Sequence, residues 1–86
     1  MIIPAAPSIN RRFRLQWEAT QEAYVLLYPE GMVKLNASAG EILACCDGAR
    51  SVDDIVATLE TKFDTTGLRA DVEHFLAYAS EQQWIV

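Results

Sequence analysis

Histidine occurs once in these 86 residues, as His74, and cysteine twice, as the neighbours Cys45 and Cys46. A closed four-ligand zinc site cannot be built from Cys and His in those numbers. Adjacent side chains on a helix point about 100° apart, so the two cysteines cannot form an ordinary disulfide with each other. Reduced thiols suit a cytoplasmic protein. Basic residues are also scarce: seven Lys and Arg stand against twelve Asp and Glu, a formal net charge of −5. A field of that sign opposes nucleic acid and anionic membrane surfaces. No run approaches the roughly 20 apolar residues of a membrane span. The opening MIIPAAPSINRR places its charges after its apolar residues, the reverse of a signal peptide. No G-x-G-x-x-G or P-loop spacing occurs. Composition therefore predicts no catalytic residues, no cofactor and no metal, and no nucleic-acid or membrane partner.

What the chain does contain is hydrophobic residues, 51% of the total, with 22% charged, the balance of an ordinary folding domain. Residues 1 to 12 read as a flexible tail, because Pro4 and Pro7 deny both helix and ladder; residues 13 to 86 read as one domain. Phe13, Leu15 and Trp17 alternate with Arg14, Gln16 and Glu18, which predicts a half-buried strand. Tyr24 to Tyr28 and Met32 to Asn36 are two further runs of strand formers joined by Pro29-Glu30-Gly31. Pro29 presets φ for a turn, and Gly31 as a left-handed residue would close a three-residue loop through a bulge. Val33 and Leu35 should then face inward, with Met32, Lys34 and Asn36 on the other side.

Helical signals follow. Ser38 and Glu41 stand in S-x-x-E spacing before Ile42 and Leu43, which predicts an N-cap and a helix over about Ala39 to Cys46, stopped by Gly48 as a left-handed C′ residue. Ser51 and Asp54 repeat the signal ahead of a stripe made of Val52, Ile55, Val56, Leu59 and Phe63. Thr65-Thr66-Gly67 breaks the chain, and a third helix over about Leu68 to Gln83 carries Leu68, Val72, Phe75, Leu76 and Ala79. Three antiparallel strands followed by three helices make an α+β, winged helix-turn-helix-like fold. The aromatic residues fit its core. DNA binding does not suit it, since the third helix sets one cation, Arg69, against Asp71, Glu73 and Glu81.

A surface for peptide remains. Met32 to Asn36 should be an edge strand, blunted only by Lys34, and an extended peptide can add to such an edge. The predicted contact set is Met32, Val33, Lys34, Leu35 and Asn36 on the strand, Val72, Phe75 and Leu76 as the groove floor on the third helix, and Arg69 at its rim.

The order Leu26-Leu27-Tyr28-Pro29-Glu30-Gly31, Leu35-Asn36, Glu41-Ile42-Leu43, Cys46-Asp47-Gly48 resembles the PqqD family of pyrroloquinoline quinone (PQQ) biosynthesis. Weaker agreement runs through Val52 to Leu59 and Asp71-Val72-x-x-Phe75-Leu76; Gly40 and Cys45 depart from the pattern. The resemblance implies the same fold and a peptide chaperone akin to the leader-recognition domains of ribosomal-peptide modification systems. Its partners would be the precursor peptide PqqA and the radical SAM enzyme PqqE, which crosslinks a Glu and a Tyr of that peptide. The alternative is a winged-helix-like protein-interaction adaptor unrelated to this pathway.

Overall fold

A computed structural model describes residues 3–86; Met1 and Ile2, the first two residues of the expected tail, lie outside the described residues. Strands β1 (Arg14–Glu18), β2 (Ala23–Tyr28) and β3 (Gly31–Lys34) form one antiparallel sheet in the order β1-β2-β3. Helices α1 (Ala37–Ala44), α2 (Val52–Lys62) and α3 (Arg69–Glu81) follow. The three-strand, three-helix architecture expected from the pattern is the one observed.

Register explains the burial. Leu15, Leu26 and Val33 lie opposite one another across the three strands, and Leu26 at their centre is 0% exposed. Side chains alternate between faces, so this row looks toward the helices. There it joins Ile42, Leu43, Ile55, Leu59, Val72 and Leu76 in one core. Trp17 shares the strand parity of Leu15 yet stays 51% exposed, its ring edge-on to Tyr24 at 5.0 Å. Tyr78 and Phe63 are also about half exposed, so the aromatic residues do not all serve the core.

The hairpin differs in detail from the sequence expectation. Gly31 pairs with Tyr28, leaving the two-residue loop Pro29-Glu30, and its φ of +159° is nearly extended. No left-handed bulge forms. Strand β3 ends at Lys34, and Asn36, expected inside it, caps α1 instead: Asn36 Oδ1 accepts from the Ala39 amide at 2.8 Å. The Ser38 cap and its box with Glu41 are therefore not made. Asn is at least as good a cap as Ser, and Asn36 stands where the strand releases the chain. Ser38 Oγ donates to Asn36 Oδ1 at 3.3 Å, and Glu41 accepts from Lys62 Nζ at 2.5 Å.

Helix α2 begins as expected, with Ser51 as N-cap and a reciprocal capping box with Asp54. It ends one residue before Phe63, which turns outward. The α2–α3 corner is closed by the Leu68 amide donating to Glu60 Oε2 at 3.0 Å. Gly48 is left-handed, with φ +78°, but it lies beyond the C-cap Cys45 and donates its amide to the Pro7 carbonyl.

That last bond belongs to the main departure from expectation. The part of the tail nearest the domain is docked. Ser8 and Val86 exchange both ladder bonds, at 3.1 and 2.9 Å, and the Asn10 amide donates to Trp84 O at 2.8 Å. Asn10 Nδ2 adds a bond to Gln83 O, and Pro7 is fully buried. Proline denies the ladder only at its own nitrogen, so Ser8 and Asn10 remain free to pair.

Candidate functional site

Strand β3 has β2 on one side only. Opposed residues in an antiparallel pair alternate between those that exchange ladder bonds and those that do not. Leu35 donates its amide to the carbonyl of its opposite number Tyr24 at 3.2 Å, which makes Tyr24–Leu35 a bonded pair. By alternation Leu26–Val33 and Tyr28–Gly31 are bonded pairs too. Val33 therefore spends its amide and carbonyl on β2, while Met32 and Lys34 turn theirs outward. Both residues are exposed, Met32 to 51%.

The second wall is α3. At about 100° per residue, Leu68, Asp71, Phe75 and Tyr78 share one flank, Val72, Leu76 and Ala79 face the core, and Arg69 and Glu73 lie on the opposite flank. An open groove of about 510 Å³ runs along the first flank, lined by Asn36 to Ala39 and Ile42 of α1's beginning, by Leu59 and Phe63, and by Leu68, Asp71, Val72 and Phe75. Phe75 is half-buried and its ring lies 6.4 Å from that of Trp84, which meets Tyr78 edge-on at 5.5 Å. The aromatic flank thus continues beyond the groove.

Of the predicted contact residues, Asn36, Val72 and Phe75 come together in this groove. Met32, Val33 and Lys34 form the strand edge. Leu35 and Leu76 belong to the core, and Leu76 at 0% exposure presents no side-chain surface. Arg69 is not at the rim. Its guanidinium bonds Asp53 Oδ1 at 2.6 Å and Glu73 Oε2 at 3.1 Å, on the side of α3 that faces the start of α2. Leu68, Asp71, Ile42 and Phe63 were absent from the prediction. The first two were within reach of it, since they precede Phe75 by seven and four residues on the same helical flank.

The electrostatics are simple. Glu41 is held by Lys62, whose ammonium that bond raises above its ordinary pKa. Asp71, at the groove mouth, has no ion-pair partner among the described residues. Burial pushes the Cys46 thiol up to about 12, with Sγ donating to Ile42 O. Among the described residues no three His, Cys, Asp or Glu side chains converge as a metal site, and no helix is long and apolar enough to cross a membrane. The arrangement offers directional backbone bonds beside an apolar trough.

Sheet, helices and groove define a small α+β domain whose edge strands are β1 and β3, with the groove at the end of β3. Residues 23–85 match the sequence model of the family described as coenzyme PQQ synthesis protein D (PqqD). The chain belongs to the PqqD family. It is 51% identical over 80 residues to a protein of Kluyvera intermedia named PqqA binding protein, covering 92% of this chain and 87% of that one. A namesake from Azotobacter vinelandii is 52% identical over the same shares, and one from Acinetobacter baylyi 47% identical over 98% and 86%. The solution structure of the PqqD truncation of Methylobacterium extorquens PqqCD, described as a functional and stand-alone recognition element for ribosomally synthesized and post-translationally modified peptides, has the same fold. Its TM-score is 0.73 over 99% of this chain and 95% of that one, at 24% identity.

Proposed function

We propose that this protein is a peptide chaperone of PQQ biosynthesis, a cytoplasmic protein without catalytic residues of its own. It binds the precursor peptide PqqA by adding it as a fourth strand along β3 and presents it to the radical SAM enzyme PqqE. The observation that carries the reading is the pair of outward-facing ladder positions, Met32 and Lys34, next to the apolar flank of α3. Strand addition draws its affinity from main-chain bonds and its selectivity from alternate side chains, so the rest of the peptide stays free to enter an enzyme. The name PqqA binding protein, borne by relatives about half identical to this chain, supports the choice of peptide. Family membership leaves the alternative of an adaptor outside this pathway without an observation in its favour.

Titration of ¹⁵N-labelled protein with PqqA tests this directly. The largest amide shifts should fall on Met32, Lys34 and the Leu68–Phe75 stretch of α3. Shifts concentrated in residues 52–56 at the start of α2, or in residues 3–12, would sink the groove assignment. Presentation to PqqE is tested separately, by whether the loaded protein binds that enzyme with the peptide retained.

A further inference from the structure

We propose that the open edge of β1 pairs with the β1 of a second copy of this chain, antiparallel and centred on Gln16, so that the two sheets continue into one. The inference goes beyond peptide binding. It uses the opposite edge of the sheet and leaves β3 free at each outer end.

Bonding parity comes first. Tyr24, Leu26 and Tyr28 turn their amides and carbonyls toward β3, so the intervening Ala23, Val25 and Leu27 turn theirs toward β1. Their opposite numbers Glu18, Gln16 and Arg14 are thereby committed to β2, and Leu15 and Trp17 aim their own groups at the open edge. A twofold axis at Gln16 sets Leu15 opposite Trp17 of the second copy, and Trp17 opposite its Leu15, so outward ladder positions meet outward ladder positions. The neighbouring registers fail. An axis at Leu15 calls on the Phe13 amide, which is donated to Asn10 O, and an axis at Trp17 calls on the Ala19 carbonyl, which accepts from Glu22.

Side chains agree with that register. Arg14 then lies across from Glu18 of the second copy, twice by symmetry, and neither residue has an ion-pair partner among the described residues. Glu18 accepts only from Gln16 Nε2, at 2.6 Å on the same strand. The flanks repeat the signs, with exposed Arg11 and Arg12 before β1 and exposed Glu22 after it, so an antiparallel partner brings its acidic end to the basic one. On the other face Trp17 is 51% exposed, and its ring meets only Tyr24 among the aromatic side chains. Leu15 of the second copy, opposite it, would supply the missing cover. Strand β3 has no such complementarity, since its only charge is Lys34. With five residues to pair, β1 makes a small interface and a transient dimer.

Sedimentation equilibrium of the full chain, with ¹⁵N spectra at the same concentrations, tests the pairing. Between about 10 µM and about 1 mM, the range of a small interface, the mean mass should climb from that of one chain toward that of two. The Leu15 and Trp17 amides should shift with it while those of Met32 and Lys34 hold still. Arg14→Glu or Glu18→Arg alone sets like charges opposite each other and should raise the dissociation constant about tenfold or more. An equimolar mixture of R14E and E18R should associate again, because every opposed pair across the mixed dimer then has opposite signs. Mixing would not repair a folding defect. The mass of a single chain at about 1 mM overturns the proposal. Shifts at Met32 and Lys34 in place of Leu15 and Trp17 move the contact to β3 and overturn it as well. Association that neither single variant weakens, or that mixing does not restore, overturns the register and the proposal with it.

Discussion

Gly40 and Tyr24 touch so closely that no side chain fits between them: a Cβ at position 40 would lie 2.7 Å from Tyr24 Cδ2 and 3.0 Å from Tyr24 Cβ. A glycine in the first turn of α1, which helix propensity alone disfavours, is therefore where the helix meets the sheet. Gly40→Ala gains up to about 1 kcal/mol of helix propensity and meets an overpacking cost of about 1–3 kcal/mol. We expect the variant to be less stable by about 1–2 kcal/mol in urea denaturation. A variant as stable as the parent would show that the Tyr24 ring yields without cost.

The cap of α1 can be assigned by a pair of substitutions. Asn36→Ala should cost about 1 kcal/mol, the usual penalty for losing a side-chain N-cap, and Ser38→Ala well under half of that. The reverse ranking in thermal melts would restore Ser38 as the cap.

Proline scanning of β3 should be strongly position-dependent. At Lys34 the lost amide faces outward, so Lys34→Pro should keep the far-ultraviolet circular dichroism of the parent and weaken PqqA binding by about 1 kcal/mol, the net value of a hydrogen bond. At Val33 the amide is spent on Leu26, and Val33→Pro should damage the hairpin itself. Equal binding losses without loss of fold at the two positions would contradict the deduced bonding pattern.

Cys46 should make stability fall in alkali. Its pKa rises from 9.0 to about 12 chiefly because burial disfavours the thiolate, with Cys45 and Asp47 adding to the effect. Between those values the unfolded chain releases this proton and the folded chain keeps it, so unfolding becomes easier as pH climbs. From pH 8 to pH 10 the contribution is about 1 kcal/mol, and it should be missing in Cys46→Ala. Identical pH slopes for parent and variant would mean that the thiol ionises freely in the native state.

Much of the fold was legible because its signals are local. The capping box of Ser51 and Asp54 and the stripe of Ile55, Val56 and Leu59 need only one turn of chain to be read, and the structure repeats them. The S-x-x-E spacing points to Ser38 as the cap of α1, but Asn36, an equally good capping residue, stands two positions earlier, and the choice depends on where β3 lets go. The candidate site was legible in part. Its edge strand follows from strand count, and Val72 and Phe75 follow from periodicity, but Arg69 lies on the other flank of α3, away from the expected rim, and a contact outside that helix holds it there. That contact is with Asp53, sixteen residues earlier. Docking of residues 7–10 has no local signal, since its partners lie near Gly48 and at residues 83–86, all distant in sequence.

That docking bears on the order in which the molecule comes apart. Asn10 and Gln83 are bonded across 73 residues, so the strap closes nearly the whole chain into a loop, and the entropy of such closure is recovered only after the helices are in place. The amides of Ser8, Asn10 and Val86 should consequently exchange with solvent by a partial opening that leaves Leu26 and Leu76 protected. A molecule whose longest loop is closed by a few edge bonds has a ready way to loosen at Trp84, and through its contact with Phe75 that loosening reaches the wall of the groove along α3.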